Sequence, residues 1–128
     1  MNILIVGSGA REHTFAWKIH KSKHDVNIFM TAPNVGCRKI VTHLSIDTTN
    51  FELLKQSILA NSINLVLIGP EIPLILGLAD FISNDPDLIG VNVIGPSKKG
   101  SMLEGSKDFA KQFMLRHNIP TASFSSFD

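Results

Sequence analysis

The sequence predicts an α/β domain, doubly wound around a mostly parallel five-stranded sheet, and three observations predict it. Short β-branched apolar runs alternate with amphipathic segments along the chain. Those runs are apolar throughout, as strands covered on both faces require. Glycines and prolines gather just beyond them: Gly7 and Gly9 after the first run, Pro33 and Gly36 after the second, Gly69 and Pro70 after the fourth, Gly95 and Pro96 after the fifth. In open parallel sheets ligands sit beyond the C-terminal strand ends, near the switch in strand order.

Taken in order, Asn2–Val6 is the first strand. It breaks at residues 7–10, and Arg11, Glu12 and His13 open a helix in which Phe15, Ala16, Trp17 and Ile19 can lay one face on a sheet. Residues 26–30 form the second strand, 31–39 a loop and 40–44 a short third strand. Thr49 and Glu52 have capping-box spacing, with Phe51, Leu54 and Ile58 following at helical intervals up to Ala60. Residues 64–68 are the fourth strand, 74–83 a helix, 84–90 a polar turn containing Pro86, and 91–94 the fifth strand. Residues 101–104 and 107–117 read as helical, the latter with Phe109/Phe113 and Ala110/Met114 as i,i+4 pairs. Phe109, Phe113 and Met114 are expected to pack on the domain or on a second copy of it.

Bulk properties remove several function classes. The 128 residues amount to one domain with a single good core, and 44% are hydrophobic. Twelve basic against eleven acidic residues leave a formal net charge of +1, so no nucleic acid or acidic membrane is expected as a partner. Cys37, the single cysteine, rules out an intrachain disulfide and a cysteine zinc cage, and suits a reducing cytoplasm. No basic leader precedes the first strand, so no signal peptide is expected. The apolar stretch 72–82 is too short for a membrane span and contains Pro73, Gly77 and Asp80. His20, His24, His43 and His117 share no metal-ligand spacing.

The chemistry concentrates at the opening turn. The first amides of a helix lack intrahelical partners and favour an anion, and glycines let a backbone approach one. Arg11 in that first turn suggests a negative ligand, phosphate first among them. A dinucleotide is disfavoured: Glu12 stands where the third glycine of Gly-x-Gly-x-x-Gly belongs, and the second strand ends in Thr31, Ala32 and Pro33 without a carboxylate. Glu71, stiffened between Pro70 and Pro73, is either a solvated first-turn carboxylate or an acceptor for ligand hydroxyls. His13 reads as a packing residue, and no nucleophile–base–orienter set is visible.

Together these residues resemble the glycinamide ribonucleotide synthetase (phosphoribosylamine–glycine ligase) family of purine biosynthesis. The likeness rests on Gly7-Ser8-Gly9-Ala10-Arg11-Glu12-His13 with Trp17, Ala32-Pro33-Asn34-Val35-Gly36, Gly69-Pro70-Glu71-Ile72-Pro73-Leu74, Gly95-Pro96 and Leu103-Glu104-Gly105-Ser106-Lys107, running on to Ile119-Pro120-Thr121-Ala122. It implies a Rossmann-like, pre-ATP-grasp domain over residues 1–100, which helps to bind substrate, and the helical start of an ATP-grasp region over 101–128. It implies an enzyme that joins glycine to 5-phosphoribosylamine with ATP and Mg or Mn, through a glycyl-phosphate intermediate. Residue by residue, Gly9, Ala10 and Arg11 would line the sugar-phosphate site, Glu71 would meet ribose hydroxyls, Pro33 and Asn34 would border the crevice, and Lys107 would reach ATP phosphate. No catalytic or metal-binding residue is carried over.

The chain departs from the family in three ways. Ala10 stands where the family has a second glycine, and the loop at Pro33-Asn34 is one residue shorter than the family's Pro-Gly-Asn-x-Gly. The chain is also far shorter than the family's enzymes. The expectation is therefore a fragment or truncated product, with no cofactor bound and no ligation by itself, awaiting the C-terminal domains of the same protein, its Phe124 and Phe127 lacking partners. The alternatives are a free-standing sugar-phosphate or nucleotide-binding module and, less favoured, an NAD-dependent oxidoreductase domain.

Overall fold

A computed structural model describes residues 1–125. Five strands, β1 (Asn2–Val6), β2 (Asn27–Met30), β3 (Thr42–His43), β4 (Leu65–Ile68) and β5 (Asn92–Ile94), form one sheet in the order β3-β2-β1-β4-β5. Every pairing is parallel, as the apolar runs predict. β1 is central, flanked by β2 and β4, and strand order reverses beside it. Val6 lies level with Ile68, so Gly7 and Gly69 leave the sheet side by side.

The alternation of β1 side chains divides the core in two. Leu4 and Val6 face a cluster with Leu54, Ile58, Leu78 and Ile82, supplied by α2 (Phe51–Ala60) and α4 (Leu78–Asn84). Ile3 and Ile5 face the opposite side, where Ala16 of α1 (Ala10–His20) joins Ile28, Met30 and Cys37. Among the described residues no helix is long and apolar enough to cross a membrane.

Several local expectations shift, each for a physical reason. The cap of α2 is Asn50, whose side chain accepts from the Leu53 amide, while the Thr49 amide and hydroxyl both go to Asp47 Oδ1. The helix expected over 74–83 is two helices, α3 (Glu71–Leu76) and α4, broken at Gly77. Gly77 sits at φ +99°, a conformation that side-chain-bearing residues rarely adopt, and its amide closes the end of α3 on the Pro73 and Leu74 carbonyls. The third strand shrinks to Thr42–His43 because the Ile40 amide turns back to the Cys37 carbonyl. Beyond it, the Leu44 and Ile46 amides bond to Met30 and Thr31, which carries the chain alongside the end of β2.

The expected boundary at residue 100 falls inside α5 (Lys98–Gly105), which packs on α3; α6 (Lys107–Arg116) packs on α5. Phe109, Phe113 and Met114 are only half-buried there, and Phe113 stacks obliquely on His117 at 4.3 Å between ring centroids. Phe124, expected to lack a partner, has Lys111 Nζ over its ring at 5.6 Å from the centroid, and Phe127 lies outside the described residues.

At the opposite end of the sheet, Lys55 of α2 holds Asp85 at 2.8 Å and Asp87 at 2.7 Å. The lysine hydrogen bond holds the Asp85 carboxyl below its usual value of 3.8, and the two aspartates raise Lys55 above 10.5. A depressed carboxyl contributes stability that is present above its unfolded pKa and lost as pH falls through the folded one. The lysine's contribution is complete below its unfolded pKa and is lost as pH rises through the higher folded one. Stability should therefore decline below about pH 4, and Asp85→Asn should flatten that decline in urea titrations at pH 7 and pH 3. An unchanged acid slope would remove this pair as its source.

Candidate functional site: a crevice at the switch point

Beyond β1 and β4 lies a cavity of about 520 Å³, lined by Gly7, Ser8, Gly9, Arg11, Glu12, Ala32, Ile46, Asp47, Thr48, Pro70 and Glu71. Its size suits a small metabolite, and its place is where a doubly wound sheet opens. Three segments build it. The turn after β1 is anchored by the Gly7 amide, which donates to the buried Thr31 hydroxyl at 2.9 Å. This explains the missing carboxylate at the end of β2: the position is spent on tying two strand ends together.

The second segment is the start of α1. Glu12 is 4% exposed, and its Oε2 accepts from the Gly9 amide at 2.6 Å, the carboxylate half of a capping box, since Gly9 has no side chain to return the bond. Its Oε1 accepts from Arg11 Nε at 3.2 Å. The Arg11 side chain remains 53% exposed, so its guanidinium stands at the rim.

The third segment comes from both lips. Glu71, exposed at the start of α3, lies on one side; Asp47 and Thr48 lie on the other. Thr49 fixes Asp47, donating its amide at 2.9 Å and its hydroxyl at 2.8 Å to Oδ1, which holds this carboxyl below the usual range. Asp47 is therefore ionised at neutral pH.

Of the residues singled out from sequence, Gly9, Arg11 and Glu71 come together in the crevice. Ala10 is the first residue of α1, adjoining it. Pro33 and Asn34 do not line it. Pro33 is buried, and Asn34 Nδ2 donates to the Ser8 and Gly9 carbonyls at 3.3 and 3.4 Å, bracing the turn from behind. Lys107 is exposed at the start of α6 and is not among the lining residues. Sequence reasoning missed Ile46, Asp47 and Thr48, and read Glu12 as a departure from the dinucleotide pattern and as part of the family motif, without its burial. The Gly9-x-x-Glu12 spacing was a signal, since a glycine N-cap with glutamate three residues on can form this cap.

Chemically the crevice offers carboxylate acceptors for hydroxyls and one exposed guanidinium for an anion. Among the described residues, no three His, Cys, Asp or Glu side chains gather to hold a metal.

A parallel sheet with a crevice at its switch point places the chain among the doubly wound α/β domains. The phosphoribosylglycinamide synthetase N-domain family model matches residues 1–104, and the chain belongs to that family. Among its relatives, a phosphoribosylamine–glycine ligase of Rhodopirellula baltica is 40% identical over 98% of this chain and 28% of the relative. A trifunctional purine biosynthetic protein of Gallus gallus is 38% identical over 98% of this chain and 12% of its own length. The crystal structure of phosphoribosylamine–glycine ligase from Thermotoga maritima superposes with a TM-score of 0.70 at 26% identity, over 98% of this chain and 27% of that one. The chain thus spans less than a third of these relatives.

Proposed function

We propose that this chain is the sugar-phosphate-binding domain of an ATP-dependent ligase that joins glycine to 5-phosphoribosylamine in purine biosynthesis. The observation that carries the reading is that Arg11 and Glu71, from motifs sixty residues apart in sequence, line one crevice at the switch point. In this reading Arg11 meets the phosphate at the rim, Glu71 and Asp47 accept from ribose hydroxyls, Gly9 and Ala10 line the sugar-phosphate site, and Pro33 and Asn34 support the turn. Residues 1–100 are the substrate-binding unit, and 101–128 lead into the nucleotide-binding region, with Lys107 toward ATP phosphate. Glycine, ATP and Mg or Mn belong to the complete ligase, as do its C-terminal domains. The described residues present no cluster fitted to the metal. A cytoplasmic setting fits the single, buried, free Cys37.

The test is calorimetric titration of the chain with ribose 5-phosphate. Arg11→Ala should weaken binding by about 1.5–3 kcal/mol, the loss of a charge-assisted hydrogen bond. Glu71→Gln turns one acceptor oxygen into a donor, so it should weaken ribose 5-phosphate binding and leave inorganic phosphate binding unchanged. Wild-type affinity in both variants would overturn the reading.

A further inference from the structure

Among the described residues, Glu12 is the only buried charged side chain, and the turn is shaped around it. A Cβ on Gly7, Gly9 or Gly69 would in each case come within 2.9 Å of a Glu12 atom. Gly7 and Gly9, which a phosphate-binding turn would use to admit a ligand, are here used with Gly69 after β4 to admit a carboxylate. That carboxylate already accepts the Gly9 amide at 2.6 Å, at the end of α1 where the macrodipole favours a negative charge.

We propose that Glu12 is an internal anion that holds the place of a phosphate at the N-terminus of α1, so that the crevice selects the hydroxyl-bearing end of a sugar phosphate and leaves the phosphate to the Arg11 guanidinium at the rim. This rests on the sugar-phosphate reading above. A second anion at the turn amides would stand beside the buried Glu12 carboxylate, and like charges repel. With Asp47 and Glu71, three carboxyl groups surround the crevice against one guanidinium. Hydroxyls donate to carboxylates, whereas the dianionic phosphate ester of a sugar phosphate has nothing to donate. Arg11, held at 3.2 Å by Glu12 Oε1 and half-exposed, is the one lining cation and points the anion outward. Glu12 is thus a positioning residue: it acts through the turn and through Arg11.

Removing the guanidinium leaves the backbone amides of the turn to meet an anion in the crevice. In Arg11→Ala, amide NMR with inorganic phosphate up to roughly 10 mM should leave Gly9, Ala10 and residue 11 unshifted. In Arg11→Ala/Glu12→Gln those same amides should shift, with affinity at least roughly tenfold tighter, and Arg11→Ala/Glu12→Asp should restore the exclusion. Phosphate-induced shifts in Arg11→Ala with Glu12 intact would overturn the proposal, as would a folded Gln variant that gains no phosphate binding. If the Gln variant does not fold, the Arg11→Ala titration decides alone. Ribose 5-phosphate bound with its phosphate on the turn amides would remove the Glu12 assignment and keep the sugar-phosphate reading. Phosphate gain in the Gln variant, with no ribose 5-phosphate binding to wild type, would do the reverse.

Discussion

Gly69→Ala is expected to destabilise the protein by about 2–3 kcal/mol, the scale of overpacking plus a lost buried hydrogen bond, and to abolish ligand binding in the crevice. The new methyl would overlap Glu12 Oε1 and lie 2.6 Å from its Cγ. Glu12 cannot simply retreat, because it is buried and tied to both the Gly9 amide and Arg11. Displacing it uncaps α1 and frees Arg11 from its place at the rim. The effect is specific to that contact, so in a Glu12→Ala background the same substitution should cost less than about 1 kcal/mol. Urea unfolding of the four proteins measures the coupling. Equal costs in both backgrounds would show that Gly69 is needed for some other reason.

Leu4→Ala should be the most damaging truncation in the fold, at about 3–4 kcal/mol. Leu4 is fully buried at the middle of the central strand and belongs to the cluster that unites β1 and β4 with α2 and α4. Neither flanking strand can close the cavity without breaking parallel pairings on both sides of β1. Chemical denaturation should show a lower midpoint with an unchanged slope. A cost below about 1.5 kcal/mol would mean that this face collapses to fill the space.

What was legible in the sequence was the part written locally. Apolar runs and the Gly-Pro punctuation fixed all five strands and placed Gly7, Arg11, Gly69 and Glu71 at their C-terminal ends. Boundaries moved where two local signals competed. Thr49 and Asn50 can both cap α2, and the choice follows from Asp47 engaging Thr49. Gly77 lies inside an apolar helical pattern, and only its positive φ reveals the break. The crevice's far wall was not legible. Ile46, Asp47 and Thr48 carry no periodicity, and they arrive because the chain after β3 bonds along the end of β2. Glu12 was visible as a departure from the dinucleotide pattern, but its burial is a tertiary consequence of Gly69, more than fifty residues away.

The central claim is that the crevice between the turn after β1 and the start of α3 binds a sugar phosphate. Amide NMR of the wild-type chain titrated with ribose 5-phosphate tests it most directly. Shifts are predicted for Gly7, Ser8, Gly9, Thr48 and Glu71, saturating at or below roughly millimolar ligand, as about 4 kcal/mol of contact energy requires. Shifts confined to residues remote from these, such as the Lys55–Asp85 pair, or none at millimolar ligand, would contradict it.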